Sequence, residues 1–386
     1  MRSCDVLIAG GGPAGSSCAW GLRSSGLDVV VVDKASFPRD KICGGWITPF
    51  VLNALQIDPP EYGKGRTLQP ISAFRVSCLG QHENFLAYDE PVSYGIRRRE
   101  FDEYLFRRCG AEVRENVALK DIKRTADGWI INGEFKARLL IGAGGHFCPV
   151  ARFVGGCLTE TPVVAQEIEF AMDEEQLASC RISAEAPELY FCRDLQGYGW
   201  CFRKDNFLNI GLGRLDQHKL SAHVADFVEQ LRLEGRIAFD LPRRLAGHAY
   251  LLYGFSPRQI VDDGLMLIGD SAGLAYAQSG EGIRPAVESG LMAADVLLAA
   301  KGDYSAQNLR RYSTLLHERF GSQAGAAEVT AKYLPRRLRN WIARALLKNK
   351  QFCRRVVVEN WFLRMNDPPL AARSAAPSDT PAQVAV

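Results

Sequence analysis

The segment KICGGW contains a cysteine followed by two glycines, and the thiol of this cysteine is a group that could take part in chemistry. A thiol can donate a proton near neutral pH, and cations beside it stabilise its thiolate. Arg39 and Lys41 lie just upstream and could act in this way, or could bind phosphate groups. Glycine loses more backbone entropy on folding than other residues, so two in a row indicate a close approach of the backbone. The opposing interpretation is that Cys43 is a small apolar residue packed beside glycines.

The sequence before that cysteine predicts a strand, a turn, a helix and a second strand that together bind a dinucleotide. The apolar run 6–9 is typical of a central parallel strand. The loop 10–15 fits GxGxxG, whose glycines permit a tight turn and close contact with a pyrophosphate. The apolar run 29–32 is followed by Asp33, whose carboxylate can accept hydrogen bonds from ribose hydroxyls. The predicted binding residues are Gly10, Gly12, Pro13, Ala14, Gly15, Asp33 and Lys34. The alternative is a glycine-rich turn without a ligand, and the pattern alone does not separate FAD from NAD.

The composition excludes several classes of function. The net charge of +3 gives no signal for binding a polyanion, so we expect no nucleic-acid partner. No apolar run reaches the roughly 18 residues of a membrane span, and the start lacks the cleavage pattern of a signal peptide. The 11 cysteines are odd in number and form no CxxC pair, which argues against a disulfide framework and against a zinc site. We therefore expect no metal and a reducing compartment, the cytoplasm.

Three later motifs resemble those of a flavoprotein family. They are GD followed by QSGEGI (278–283), RxxFD (98–102) and GAGG (142–145). With the glycine loop, they make the chain similar to FAD-dependent oxidoreductases of the aromatic hydroxylase type, and within these to the geranylgeranyl reductases. The resemblance implies FAD as the cofactor. It places at the cofactor Arg98, Ala143, Gly144, Gly269, Asp270, Gly280, Glu281, Gly282 and Ile283, and it places Gln278 at the substrate.

The same resemblance gives the cysteine a position. Geranylgeranyl reductases have a CGG or CGD stretch that passes the flavin ring, with the cysteine facing the substrate cavity. This implies that Cys43 lines the cavity and donates a proton to carbon, while Gly44 and Gly45 let the backbone lie against the ring. Arg39 would then belong to the cofactor site, and Trp46 is a candidate cavity wall.

Residues 156–257 predict a sheet-rich substrate domain, because β-branched and aromatic residues alternate there. Tyr198, Trp200 and Phe202 fall on one face of a predicted strand, and a hairpin turn is predicted at 204–206. From spacing alone these aromatics are either ordinary core or a substrate wall. Geranylgeranyl reductases carry a YxWxFPK-type segment that borders the cavity, so the resemblance favours the wall. The WxWxIP motif of the related halogenases is not visible.

The segment 332–364 holds ten Lys or Arg and one Glu. Its apolar residues recur at helical spacing, which predicts a basic amphipathic helix. Such a helix can lie on an anionic membrane surface, or it can pack on the body of the protein with a solvated basic face. The tail 367–386 is rich in Pro, Ala and Ser and is predicted to be disordered.

These predictions together describe an α/β fold, with a Rossmann-like FAD-binding domain, an inserted antiparallel β-sheet substrate domain and C-terminal helices. The expected boundaries are 1–67, 98–155 and 258–330 for the FAD-binding domain, and 68–97 and 156–257 for the substrate domain. The basic helical segment is expected at 331–366 and the disordered tail at 367–386.

The resemblance implies an enzyme that reduces carbon–carbon double bonds of an isoprenoid or other lipid by hydride transfer from reduced flavin. NADPH or NADH as a transient reductant, or an electron-donor protein, would supply the electrons. One alternative is an FAD-dependent monooxygenase that acts on an aromatic substrate or on a side chain of a partner protein. Another is a flavin-binding peripheral membrane protein without turnover. Contact of 332–364 with a membrane would place the protein at the inner face of that membrane.

Overall fold

The computed structural model describes residues 1–155, 162–216, 219–242, 245–254, 258–321 and 336–370. The strands are β1 (Arg2–Ala9), β2 (Val29–Val32), β3 (Trp46–Ile47), β4 (Leu68–Ile71), β5 (Ala73–Cys78), β6 (Glu83–Ala87), β7 (Ser93–Ile96), β8 (Glu112–Arg114), β9 (Ile122–Thr125), β10 (Gly128–Ile131), β11 (Phe135–Gly142), β12 (Val163–Ala171), β13 (Glu188–Phe191), β14 (Gly197–Lys204), β15 (Phe207–Arg214), β16 (Ala246–Tyr250), β17 (Val261–Asp262) and β18 (Leu265–Leu267).

The helical segments of the described residues are mostly α-helices. They are α1 (Pro13–Leu22), α2 (Pro49–Ala54), α3 (Pro59–Gly63), α4 (Arg98–Arg107), α5 (Pro149–Phe153), α6 (Glu174–Ser179), α7 (Leu220–Leu233), α8 (Ile283–Ala300), α9 (Ala306–Phe320), α10 (Arg336–Leu347) and α11 (Lys350–Phe352). A short 3-10 turn covers Gly269–Ala272, and a π-helical segment covers Cys353–Phe362.

The largest sheet has a parallel centre, with strand order β17-β18-β11-β1-β2-β8. The hairpin of β9 and β10 is attached to β11. β1 pairs in parallel with β2 and with β11, so that Val6 lies opposite both Val29 and Leu139. All four valines of β2 are buried, because helices and loops cover both faces of a parallel sheet. The predicted strand–turn–helix–strand unit is therefore confirmed.

Helices α1 and α8 pack very closely on this sheet. A Cβ atom on Gly290 would overlap the carbonyl oxygen of Ala14, and one on Gly269 would lie 2.8 Å from the Cβ of Ala14. The backbones can approach this closely only because these positions lack side chains. The contact fixes the start of α1, and with it the glycine loop, against the loop after β18.

A seven-stranded sheet forms the second layer, in the order β16-β12-β15-β14-β13-β5-β6. All of its pairings are antiparallel except that of β13 with β5. β14 and β15 are joined by the predicted tight turn, in which Asp205 has a positive φ of 54°. On β14, Cys201 faces a core cluster that includes Phe227 of α7, whereas Trp200 and Phe202 face the opposite side. The predicted alternation of faces is correct.

A small sheet of β3, β7 and β4 connects the two layers. Its first strand, β3, begins at Trp46, directly after the CGG segment. The carbonyl of Gly45 accepts a hydrogen bond from the backbone N–H of Ile96 at 2.7 Å, which ties the segment to β7. The seven-stranded sheet is built from two chain segments inserted between strands of the parallel sheet. This is the predicted fold class, a Rossmann-like unit with an inserted, mainly antiparallel sheet.

The C-terminal segment is not one continuous helix. α10 is followed by α11 and the π-helical segment, whose Val357, Val358 and Phe362 are buried against the aromatic face of the seven-stranded sheet. Leu370 packs against the core near α8. The predictions for 332–335 and 371–386 lie outside the described residues.

Candidate active site

A cavity of about 490 Å³ lies where the parallel strands end and the seven-stranded sheet begins. One end is lined by residues that follow parallel strands: Asp33 after β2, Ala143 after β11 and Asp270 after β18. The carboxyl ends of parallel strands meet at one edge, which is where ligands bind in this class of sheet. The other end is lined by side chains of β12, β14 and β16.

Most of the predicted site residues line this cavity. They are Gly12, Pro13, Ala14, Asp33, Lys34, Arg39, Cys43, Gly44, Gly45, Trp46, Arg98, Ala143, Gly144, Tyr198, Trp200, Phe202, Asp270, Gly280, Glu281, Gly282 and Ile283. Gly10, Gly15 and Gly269 lie behind the wall, in close packing contacts. Gln278 is exposed and does not line the cavity, because the turn closed by the hydrogen bond from Gly280 N–H to the Tyr276 carbonyl (2.8 Å) leaves it outside.

The glycine loop has the shape that a pyrophosphate requires. Gly10 has a φ of 124°, and a Cβ on Gly15 would overlap the Gly10 carbonyl oxygen. Helix α1 begins with Pro13, and within the described structure it has no side-chain cap and no acid in its first turn. Its first N–H groups and its positive dipole end therefore face the cavity and can bind an anion.

Asp33 is held at the end of β2 by two backbone groups. One carboxylate oxygen accepts from Gly11 N–H at 2.8 Å and the other from Ala35 N–H at 2.9 Å. Each oxygen keeps a further lone pair, and the residue lines the cavity. The carboxylate is therefore in position to accept from ribose hydroxyls.

Two arginines share one buried acid at the edge of the glycine loop. Arg98 binds both oxygens of Asp102, at 2.7 and 2.9 Å, and Arg39 lies 3.1 Å from the second oxygen. A guanidinium nitrogen of Arg39 is 3.4 Å from the position of a Cβ on Gly12, so Arg39 is next to the phosphate-binding loop. Arg98 lines the same cavity and also interacts with the Cys43 side chain.

The CGG turn is fixed on each side by the seven-stranded sheet. The backbone N–H of Cys43 donates to Glu167, and its carbonyl accepts from the Asn209 side chain at 3.2 Å. A Cβ on Gly44 would lie 2.8 Å from the ring of Phe202. Gly45 has a φ of 65°, a conformation that residues with a side chain rarely adopt. The glycines therefore let the turn lie flat between the two layers, and the Cys43 thiol is left half-buried.

Two carboxyl groups in the cavity, those of Glu167 and Glu281, are shielded from water but only partly hydrogen-bonded. Burial raises the pKa of Glu167 to about 7, although its hydrogen bond from Cys43 N–H opposes the shift. Burial also raises the pKa of Glu281 to about 7, with Arg284 opposing it. One oxygen of each has no hydrogen-bond partner among the described residues.

Lys41 and His248 form a half-buried pair that lines the same cavity. The ammonium nitrogen lies 3.2 and 3.3 Å from the two ring nitrogens. Burial lowers the pKa of Lys41, and the charge of Arg98 adds to this. Burial, followed by the charge of Lys41, lowers the pKa of His248 to about 3. The imidazole is thus neutral at neutral pH and can accept a hydrogen bond from the ammonium group.

The apolar end of the cavity is an aromatic box. Trp46 stacks on Phe362 with 5.5 Å between ring centroids and lies 5.6 Å from Phe202. Tyr198 meets Phe362 edge to face at 5.4 Å, and its hydroxyl donates to the Ser279 carbonyl. Trp200 donates its indole N–H to Asn209 at 2.8 Å. The aromatic strand is therefore a cavity wall, as the resemblance implied.

Comparison with known proteins gives matches along most of the chain. Residues 8–60 match the family model of the NAD(P)-binding Rossmann-like domain. The chain is 27% identical to digeranylgeranylglycerophospholipid reductase 1 of Methanothermobacter thermautotrophicus, over 86% of this chain and 87% of that protein. It is 28% identical to the menaquinone reductase of Mycobacterium tuberculosis, over 83% of this chain and 81% of that protein.

Solved structures show the same fold. A geranylgeranyl bacteriochlorophyll reductase-like protein from Thermoplasma acidophilum superposes with a TM-score of 0.72, covers 90% of this chain and 88% of its own, and is 23% identical. A mutant of the halogenase PltM in complex with FAD superposes with a TM-score of 0.67, at 17% identity over 90% of this chain and 78% of its own.

The chain is an FAD-dependent oxidoreductase that is similar to the geranylgeranyl reductases. The glycine loop, the uncapped start of α1 and Asp33 are the features of this flavoprotein that fit the pyrophosphate and a ribose. Asp270 and the loop 280–283 line the cavity between that end and the aromatic box, where the flavin ring would lie.

Sequence reasoning missed several residues of this flavoprotein site. They are Glu167, Lys204, Asn209, His248 and Phe362. Glu167 on β12 and Lys204 on β14 alternate with apolar residues, and that alternation is the signal that could have found them. His248 and Phe362 reach the cavity only through tertiary packing, which no local pattern reveals.

Proposed function

We propose that this flavoprotein reduces carbon–carbon double bonds of an isoprenoid or a similar lipid. The observation that carries the proposal is a half-buried thiol, Cys43, set between a flavin-binding end and an aromatic box in one cavity. The names of the relatives, reductases of a digeranylgeranyl lipid and of menaquinone, support a polyprenyl substrate.

Such a reduction needs a hydride and a proton, which would reach the two carbons of the double bond from different groups. The reduced flavin would supply a hydride to one carbon of the double bond. Cys43, or a water molecule beside it, would give a proton to the other carbon, so that one double bond gains two hydrogens. Arg98 would stabilise the thiolate that remains, since it interacts directly with this side chain.

The aromatic box would hold the chain of the lipid and exclude water. Trp46, Phe202 and Phe362 offer apolar faces that suit a branched hydrocarbon. On β14, Tyr198 and Trp200 donate to Ser279 and Asn209, and among the described residues the indole N–H of Trp46 is the polar group of the box that is left without a partner. Such a surface favours an apolar chain over a charged or strongly polar substrate.

The test is the mass of the product. Chemically reduced enzyme is mixed with a polyprenyl lipid, once without oxygen and once in air. The proposal predicts a gain of hydrogens in both samples. Incorporation of an oxygen atom that is seen only in air would instead support the hydroxylase alternative. Tight FAD binding with no change in any lipid would support the alternative without turnover.

The electron donor is proposed to be NADPH or NADH, bound transiently against the flavin. The family model that matches residues 8–60 describes an NAD(P)-binding domain, which supports a dinucleotide at the glycine loop but does not separate the donors. Bleaching of the bound flavin by each nucleotide without oxygen distinguishes them. A flavin that neither nucleotide bleaches would point to an electron-donor protein.

We further propose that α10 lies on an anionic membrane surface, at the inner face of the membrane. Leu338, Trp341 and Leu346 are 42%, 68% and 41% exposed, although they are large and apolar. Asn340 and Arg344 hold the helix to the body by bonds to the carbonyls of Asp194 and Arg193, which leaves this apolar side free for lipid. Among the described helices, none is long and apolar enough to cross a bilayer.

A further inference from the structure

Glu167 is the acid in contact with the CGG turn, and the motifs gave it no role. It lies on β12 and is 5% exposed. One carboxyl oxygen accepts a hydrogen bond from the backbone N–H of Cys43. The other oxygen is buried and has no partner among the residues that the structure describes. Since the side chain also lines the cavity, this second oxygen is the part that can take part in chemistry.

The cations around Glu167 are engaged elsewhere. Lys204 of β14 binds Glu169, the neighbouring acid on β12, at 2.7 Å. Arg98 of α4 binds both oxygens of Asp102. Among the described residues, the other charged or titratable groups that line the cavity on this side are Lys41, His248 and Tyr250 of β16, Tyr198 of β14, and Cys43 itself. Because its cationic neighbours are shared with other acids, burial dominates and the carboxyl group holds a proton near neutral pH.

We propose that Glu167 is the proton source that restores the Cys43 thiol after each reduction. In the reduction, the S–H bond breaks and its proton forms the new C–H bond, which leaves a thiolate. The carboxylic acid of Glu167 then gives its proton to the sulfur, and the carboxylate takes a proton from solvent when the product leaves. No further oxidant or reductant is needed. The inference rests on the proposed function, and Glu167 acts through Cys43 rather than on the substrate.

The first test does not depend on turnover. Among the described cysteines, Cys43 is the one that is not buried, so it should react with an alkylating reagent faster than the other described cysteines. Above pH 7 the ionised Glu167 opposes formation of a thiolate beside it. In Glu167→Gln the opposing charge is gone while an oxygen remains to accept from Cys43 N–H. We expect this variant to be alkylated about tenfold faster than the wild type at pH 8, because no neighbouring negative charge then opposes the thiolate.

The second test is turnover against pH in the FAD-loaded enzyme. In the wild type, lipid reduction should fall as the pH rises through about 7, because Glu167 loses its proton there. Glu167→Gln should be about 10- to 100-fold slower and should lack this fall, with FAD binding unchanged. Glu281→Gln should keep the fall even if it binds flavin less tightly, which separates the two acids.

The matched control is Glu188→Gln. Glu188 is also a buried acid whose pKa is raised by burial, but it lies on β13, bonds to Tyr190 and does not line the cavity. Its replacement should change neither the alkylation rate nor the pH profile. If Glu167→Gln does not fold, Glu167→Asp keeps an acid, and it should keep the fall in turnover with pH.

The outcomes separate this inference from the proposed function. Alkylation and a pH profile that are both unchanged in Glu167→Gln would overturn the inference alone. Faster alkylation with an unchanged pH profile would also overturn it, because Glu167 would then be a neighbour of the thiol and not its proton source. An enzyme that reduces no polyprenyl lipid with any donor would defeat the proposed function itself.

Discussion

At the scale of single residues, the chemistry of the site depends on how the CGG turn is held. Glu167 and Asn209 bind the backbone of Cys43 on its two sides, and the Lys204 ammonium group packs against Gly45. The thiol accepts a long hydrogen bond from the backbone N–H of Gly45, at 3.5 Å, and remains half-buried. The backbone is thus fixed while the side chain stays available to a substrate.

Replacement of Cys43 by Ser is expected to reduce turnover without loss of flavin. A hydroxyl group is a much weaker acid than a thiol, so proton donation at this point should slow by about 100-fold. Gly44 and Gly45 are unchanged and the backbone contacts do not use the side chain, so FAD should bind as in the wild type. Single-turnover rates and a flavin titration measure the two effects. Equal single-turnover rates in the wild type and the variant would show that Cys43 takes no part in the reaction.

The half-buried pair of Lys41 and His248 predicts a loss of stability in acid. The unfolded chain binds a proton at His248 near its ordinary pKa of 6.5, whereas in the folded protein the pKa is lowered to about 3. The free energy of unfolding should therefore fall by about 2 kcal/mol between pH 7 and pH 5 from this residue alone. Urea unfolding of the flavin-free wild type and of His248→Gln at both pH values measures it.

The control for this measurement is His82→Gln, since His82 is exposed. It should show the same loss of stability in acid as the wild type, whereas His248→Gln should lose about 2 kcal/mol less. A His248→Gln variant with the same pH dependence as the wild type would show that the imidazole is not held neutral.

Individual residues of the site were predictable only where a motif carries them. Asp33 and Asp270 follow from their places after strands and in motifs, and Arg39 follows from its place just before the CGG turn. The structure brings all three to one cavity. Arg98 also lines it, but its side chain lies by the thiol and Asp102, which spacing could not indicate. Gln278 was assigned from its place beside a motif, but a tight turn leaves it exposed.

At the scale of elements, the packing of α1 on α8 fixes the position of the glycine loop at the flavin-binding end of the cavity. Gly290 of α8 is the residue that permits it, because its missing side chain leaves room for the Ala14 carbonyl. Gly290→Ala gains about 1 kcal/mol of helix propensity, but it forces apart two packed backbones, which costs about 1–3 kcal/mol. We expect a net loss of stability and weaker FAD binding, as measured by thermal unfolding and flavin titration.

The control on the same helix is Leu298→Ala, because Leu298 is 42% exposed. Its replacement should change stability by about 0.5 kcal/mol at most and leave FAD binding unchanged. If Gly290→Ala binds FAD as tightly as this control, the helix contact does not set the geometry of the glycine loop.

Elements with a strong local signal were predicted well. The two apolar runs around the glycine loop and the alternation along β14 identify their strands correctly. The C-terminal segment was read as one basic helix, but it breaks after α10 and continues as a π-helical segment that enters the aromatic box. The break depends on packing of Val357 and Phe362 against the sheet, which helical spacing does not encode.

At the scale of the whole molecule, the placement of α10 predicts binding to a lipid surface. Trp341 is 68% exposed on a helix that also carries Arg344 and is followed by Lys348 and Lys350. Trp341→Ser should reduce binding to anionic vesicles by about tenfold, because an aromatic side chain leaves the interface. Co-sedimentation with phosphatidylglycerol vesicles measures this, and binding should weaken at high salt.

The control is Leu233→Ser, since Leu233 is 74% exposed at the end of α7, outside the basic segment. It should bind vesicles as the wild type does. Equal loss in both variants, or equal binding of the wild type to neutral phosphatidylcholine vesicles, would contradict an anionic membrane surface as the partner of α10.

The central claim is that electrons pass from the flavin to a lipid double bond without oxygen. The most direct measurement is the absorbance of the reduced, FAD-loaded enzyme after it is mixed with a digeranylgeranyl lipid in the strict absence of oxygen. We predict that the absorbance of oxidised flavin returns, at a rate that rises with lipid concentration, and that the lipid gains two hydrogens for each flavin oxidised. A flavin that stays reduced until oxygen is admitted would contradict the account.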